Sequence, residues 1–200
     1  LQGAYMFEEV AKHTKDFVEK NPETEIFRLG IGDTTQPLTP TVIKGLKEKV
    51  KKLSNPKTYT GYGHPQGDIK LRTALSEFYK KRKINLASDE IFISDGAKSD
   101  SGNIASIFGL ENVVAVADPV YPVYLDSNVI AGRTGEFKNG KYQGIVYMPC
   151  NKENGFVPFL PESKADIIYI CSPNNPTGSV ATHKQLKVFV DYALKNKSVI

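Results

Sequence analysis

The residues most able to do chemistry in this 200-residue chain are Ser172-Pro173-Asn174-Asn175-Pro176-Thr177-Gly178. A β-branched apolar run, Asp166 to Cys171, leads into them, and a helix pattern opens near Thr182. They therefore read as a tight loop at the C-terminal end of a strand buried on both faces, where open α/β sheets hold ligands. A plain turn is the alternative, since Asn, Pro and Gly are ordinary turn formers. Ser94-Asp95-Gly96-Ala97-Lys98 joins a strand pattern to a helix pattern. It turns the N–H groups of Gly96, Ala97 and Lys98 outward at a helix start, an anion site by geometry and dipole. Taken alone, a simply capped helix is the plainer account. A P-loop is excluded, because Ala97 interrupts the Gly-Lys pair and no glycine stands at the required upstream position. Tyr121 follows the strand pattern Asn112 to Ala117 and could lay its ring on a planar ligand, or pack at the strand end; Tyr124 competes for the role. Tyr62 stands between two glycines, either reaching a ligand or packed on the surface. His13, His64 and His183 have no metal-ligand spacing, so no metal site is expected.

Ser-Pro-Asn-Asn-Pro-Thr-Gly resembles the Asn-Pro loop of the fold-type I pyridoxal-phosphate aminotransferases. Leu29-Gly30-Ile31-Gly32-Asp33-Thr34-Thr35, Gly61-Tyr62-Gly63, Ser94 to Lys98 and Asp118-Pro119-Val120-Tyr121-Pro122-Val123-Tyr124 follow in that family's order, and the resemblance runs from Tyr5 to Ile200. It narrows to a lysine-pathway branch that moves an amino group between glutamate/2-oxoglutarate and LL-2,6-diaminopimelate/tetrahydrodipicolinate. Another class I/II aminotransferase, a lyase of the same fold and a non-catalytic cofactor-binding relative are the alternatives, because shared cofactor motifs say little about substrate. Pyridoxal phosphate needs donors for its phosphate, a stacking partner, a hydrogen bond to its ring oxygen, and a lysine. The resemblance implies that Ala97 and Lys98 meet the phosphate, that Tyr121 stacks on the ring and that Asn175 bonds the phenolic oxygen. It implies that Tyr62 reaches the phosphate of a second subunit in a homodimer with shared active sites. At the substrate it implies Tyr5, Gly32, Lys98, Tyr121 and Asn175. The Schiff-base lysine, and hence the catalytic residue, is expected beyond Ile200. Asn175-Pro176 is expected to be cis, with Asp118-Pro119 a second candidate.

The elements that must position these residues follow from periodicity. Helices are predicted after Tyr5, with Met6, Phe7, Val10, Phe17 and Val18 on one face, and after Thr39, which caps a helix with Pro40 at its first position. Another lies within Gly67 to Lys83, with Leu71, Leu75 and Phe78 as its core face, and others cover Ala97 to Phe108, Tyr121 to Ile130 and Thr182 to Lys195. Thr182 and Gln185 form a capping-box pattern. Strands are predicted at Glu25 to Leu29, Glu90 to Ile93, Asn112 to Ala117, Gly135 to Phe137, Gly144 to Met148 and Asp166 to Cys171. Their alternation with helices from residue 90 onward gives an α/β fold with a mostly parallel sheet flanked by helices. A boundary near Asn55 divides an N-terminal arm and small-domain segment, 1–55, from the first part of a large cofactor domain, 56–200.

Composition excludes little and agrees with this. Hydrophobic residues at 40% and charged residues at 24% are ordinary globular values, and the net charge of +4 is modest. The lysines from Lys44 to Lys52 alternate with Val42, Ile43, Leu46, Val50 and Leu53 at helical spacing, a solvated helix face rather than a nucleic-acid surface. Cys150 and Cys171, the two cysteines, form neither a disulfide framework nor a CxxC site, which points to a reducing, cytoplasmic compartment. No run approaches the ~20 apolar residues of a membrane span. Beginning without Met and stopping in an apparent strand, the chain reads as part of a longer protein, its large domain cut at Ile200.

Overall fold

The structure, a computed structural model, describes residues 6–200 except Arg28, Ile31 and Asp33. It has two compact units, one running to Ser94 and the other spanning Asp95–Ile200. The boundary predicted near Asn55 lies within the first.

The second unit is built on a parallel sheet of β1 (Val114–Asp118), β4 (Ile145–Pro149) and β5 (Ile167–Tyr169) in the order β4-β1-β5. Val114 pairs with both Ile145 and Ile167, which places the carboxyl ends of the three strands together. Val199 adds a parallel bridge beside Ile167. Side chains alternate across β1, so Val114 and Val116 join one core with Tyr142, Ile145 and Ile167, and Ala115 joins another with Met148, Ala165, Ile168 and Phe189. A centre strand buried on both faces can carry an unbroken apolar run, as Val113 to Ala117 does. The two faces are covered by α5 (Pro122–Ile130), which contributes Tyr124, Leu125 and Val129, and by α6 (His183–Asn196), which contributes Phe189 and Tyr192. Thr182 and Gln185 close the capping box, Thr182 Oγ1 accepting from Gln185 N at 3.3 Å and Gln185 Oε1 from Thr182 N at 2.9 Å. A small antiparallel pair, β2 (Phe137–Lys138) and β3 (Lys141–Tyr142), precedes β4.

The helix predicted over Ala97 to Phe108 splits into α4 (Ala97–Asn103) and a 3₁₀ segment, Ile104–Ile107. Buried Arg133 fastens the end of that segment, Nη2 donating to Ala105 O at 2.9 Å and to Phe108 O, and Nε donating to Gly109 O at 3.1 Å.

The first unit holds α1 (Met6–Lys20), α2 (Pro40–Leu53) and α3 (Ile69–Lys80). Here several expectations fail. Thr39 precedes α2 in extended conformation with Pro40 at the first helical position, but its side chain makes no capping bond. Leu71 and Phe78 of α3 are exposed, and the buried residue of that helix is Arg72, which donates to Gly67 O, Gln66 Oε1 and Ser88 O. Neither predicted strand of this unit forms among the described residues. Ser88–Glu90 is a 3₁₀ turn, because the Glu90 carboxylate captures the Ala87 N–H at 2.8 Å. Ile93 N donates to Gln66 O instead of entering a ladder, and Phe92 is exposed. Phe27 and Leu29 are exposed too, and no strand neighbours them among the described residues, although the segment Glu25 to Leu29 has a strand's composition.

Candidate functional site

Two chain segments leave the carboxyl ends of β1 and β5 in the second unit, and a third enters α4. The first leaves β1 through the cis bond Asp118-Pro119 and delivers Tyr121, half-buried, to the N-cap of α5. The ring of Tyr121 meets that of Tyr124 edge-on, with centroids 5.7 Å apart, and Tyr124 stacks on Tyr169 at 5.2 Å. Burial first, then the neighbouring Cys171 thiol, raises the Tyr124 phenol above the ordinary tyrosine value, so it is a neutral wall behind Tyr121. Asp118 itself is held by Lys141, whose Nζ lies 2.6 Å from Oδ2.

The second segment leaves β5 and turns through two cis bonds, Ser172-Pro173 and Asn175-Pro176. Asn174 is buried and Asn175 is exposed. Gly178, with φ +72, takes the left-handed conformation that lets its N–H return to Asn174 O at 2.7 Å. Asn174 Nδ2 reaches Pro119 O at 3.3 Å and so joins this loop to the first. The third segment enters α4. Gly96, at φ +142, is its N-cap, and a Cβ at Gly96 would meet nothing within 4 Å. Ala97 and Lys98 are exposed there, and α4 packs on α5.

Ala97, Lys98, Tyr121 and Asn175 thus share the second unit, with Tyr121 and Asn175 on hydrogen-bonded loops. Gly32 and Tyr62 belong to the first unit. Gly32 is open, with nothing within 4 Å of a Cβ placed on it. Tyr62 is fully exposed beside Gly61, which has φ +58. Tyr5 lies outside the described residues. Sequence reading passed over Asn174 and Cys171. The doubled asparagine was the signal for Asn174, but which of the pair turns inward depends on the loop's backbone. Among the described residues no group of three or more His, Cys, Asp or Glu side chains could hold a metal ion, and no helix is long and apolar enough to cross a membrane.

Residues 24–200 match the family described as "Aminotransferase class I and II". The chain belongs to that family. It is 52% identical over 201 residues to LL-diaminopimelate aminotransferase of Desulfotalea psychrophila, covering 100% of this chain and 49% of that protein. The solved L,L-diaminopimelate aminotransferase of Chlamydomonas reinhardtii superposes with TM-score 0.86 at 44% identity, over 99% of this chain and 49% of its own. An aminotransferase of Helicobacter pylori superposes with TM-score 0.79 at 25% identity, over 99% and 50% of the two chains. The chain spans about half the length of these relatives. Its α/β fold, with a parallel sheet flanked by helices, is the fold-type I aminotransferase fold.

Proposed function

We propose that the full protein is a pyridoxal-phosphate-dependent LL-diaminopimelate aminotransferase, moving an amino group between glutamate/2-oxoglutarate and LL-2,6-diaminopimelate/tetrahydrodipicolinate in the cytoplasm. The observation that carries the chemistry is the pair of loops at the carboxyl ends of β1 and β5, which present Tyr121 and Asn175 from one hydrogen-bonded assembly. The 52% identity to a relative named LL-diaminopimelate aminotransferase supports the substrate. The donor set fits the cofactor: a helix start with exposed Ala97 and Lys98 for a phosphate, a half-buried phenol ring for stacking and an exposed amide for a phenolate oxygen. When bound, pyridoxal phosphate supplies an electron sink for the amino acid's α-carbon.

In this reading Ala97 and Lys98 bind the phosphate, Lys98 adding a positive charge. Tyr121 holds the ring plane, and the Asn175 amide donates to the ring oxygen and keeps it anionic. Tyr5, Gly32, Lys98, Tyr121 and Asn175 serve the substrate, and Tyr62 serves the phosphate of a partner subunit in a homodimer. The Schiff-base lysine is assigned outside residues 1–200.

The test is an assay of the full-length protein with pyridoxal phosphate, offering LL-diaminopimelate, aspartate, alanine and aromatic amino acids against 2-oxoglutarate. Preferential turnover of LL-diaminopimelate is expected. Equal or greater turnover of the others overturns the substrate, and no turnover with any donor overturns the reaction. Borohydride reduction with peptide mapping should find the cofactor on a lysine outside these residues; a dominant adduct at Lys98 overturns that assignment.

A further inference from the structure

We propose that Asn174 is a positioning residue that clamps the segment carrying Tyr121 to the loop carrying Asn175, so that both meet the cofactor as one preformed surface; this rests on the pyridoxal-phosphate reading above. Asn174 is 6% exposed, although it lies in a surface loop beside exposed Asn175. Its Nδ2 donates to Pro119 O, 55 residues earlier in the chain, at 3.3 Å and to Thr177 Oγ1 at 2.9 Å. Pro119 is two residues before Tyr121, and Asn175 directly follows Asn174. The backbone of Asn174 closes its own loop, with N donating to Ser179 O at 2.8 Å and O accepting from Gly178 N at 2.7 Å. Thr177 Oγ1 lies 3.0 Å from Ser179 Oγ, which donates to Phe156 O at 2.6 Å and so anchors the loop from a third side.

The exposed Asn175 side chain takes its direction from the backbone of residues 174–178. Tyr121 likewise takes its place from the turn at Pro119. A buried amide spanning the two converts separate loop positions into one. Breaking it removes the hydrogen bond between the two loops, and an oxygen set against the Pro119 carbonyl in its place repels it, which a loop relieves by moving. A site held by loops needs such support, because a displacement of about 1 Å is enough to loosen it.

The experiment uses the full-length protein and the substitution Asn174→Asp, which keeps the shape but puts an oxygen against the Pro119 carbonyl. Cofactor affinity is read by absorbance titration, with the pH titration of the visible band alongside and the thermal stability of the cofactor-free protein as a fold check. The expected loss of affinity is about 10-fold, the worth of one hydrogen bond, together with a displaced band titration. In a Tyr121→Ala, Asn175→Ala background the same substitution should cost less than about 3-fold, since the groups it positions are gone. Should Asn174→Asp not fold, Thr177→Val removes one of the amide's two partners and should give a smaller loss in the same direction. Wild-type affinity and band in the variant, or an undiminished loss in the background, overturns the inference. A wild-type protein that fails to bind pyridoxal phosphate overturns the cofactor reading and this inference with it.

Discussion

At the scale of single residues, the assignments separate by what each side chain can contribute. Asn175 is exposed and free to meet a ligand oxygen. Asn175→Ala should slow transamination and shift the pH dependence of the bound cofactor's visible band, because a hydrogen bond to a charged oxygen is worth roughly 1.5–3 kcal/mol. An unaltered band titration would remove Asn175 from the ring oxygen. Cys150 is a different case. It is almost fully buried, 4% exposed, and burial raises its thiol above the ordinary value, with the Asp118 backbone bond opposing. The folded protein holds that proton to higher pH than the unfolded chain does. The stability this confers is complete below the unfolded thiol value, about 8.5, and is lost as pH rises through the folded value. Thermal scans should therefore show stability falling above about pH 8.5. Cys150→Ala should lower the melting temperature overall and flatten that alkaline decline; an identical slope in the variant would show that Cys150 is not its source.

At the scale of elements, close approach decides what the chain tolerates. The turn into β2 meets the turn into β4 backbone to backbone: a Cβ on Gly144 would lie 2.9 Å from the Thr134 carbonyl carbon and oxygen and 3.0 Å from Gly135 N. None of those atoms can swing aside as a side-chain end can. Gly144→Ala should destabilise by about 1–3 kcal/mol through overpacking. Gly102, inside α4, has nothing within 4 Å of its Cβ position, so Gly102→Ala should be neutral or stabilising by about 0.5–1 kcal/mol. Denaturant titration of both variants checks the pair, and equal effects would refute the steric argument. Periodicity located α1 to α6 and the three strands of the parallel sheet, since those elements are each held by local hydrogen bonds or by an apolar pattern with a core to face, but it did not mark β3. It misplaced strands at Glu25 to Leu29 and Glu90 to Ile93. There the β-branched composition is present and no paired strand is found among the described residues, so local bonds such as Glu90 to Ala87 N take over.

At the scale of the whole molecule, Tyr62 is the residue with most to say about assembly. Its ring is fully exposed, on a loop whose neighbour Gly61 takes a left-handed φ of +58. If it completes a partner's site, a heterodimer of a Tyr62→Ala subunit with a subunit lacking the Schiff-base lysine has one intact site and one doubly damaged site. Mixing the two inactive homodimers should restore part of the activity, while no recovery in a verified heterodimer would place Tyr62 in its own chain's site. The order and character of the motifs were legible from sequence alone. The loop at Ser172 to Gly178, the helix start at Gly96 and the segment Asp118 to Tyr124 are local features. Turn chemistry, capping and strand pattern act over a few residues and are written there. Cis geometry at Asn175-Pro176 and Asp118-Pro119, expected from the family resemblance, is present as well. What the sequence could not contain was which asparagine of the pair turns inward and what it touches. Asn174 meets Pro119 only because β1 and β5 lie side by side in parallel, Val114 opposite Ile167 and Val116 opposite Tyr169. That register is set by burying both faces of β1 against residues distant in the chain. The contact between the two loops is a property of the folded sheet.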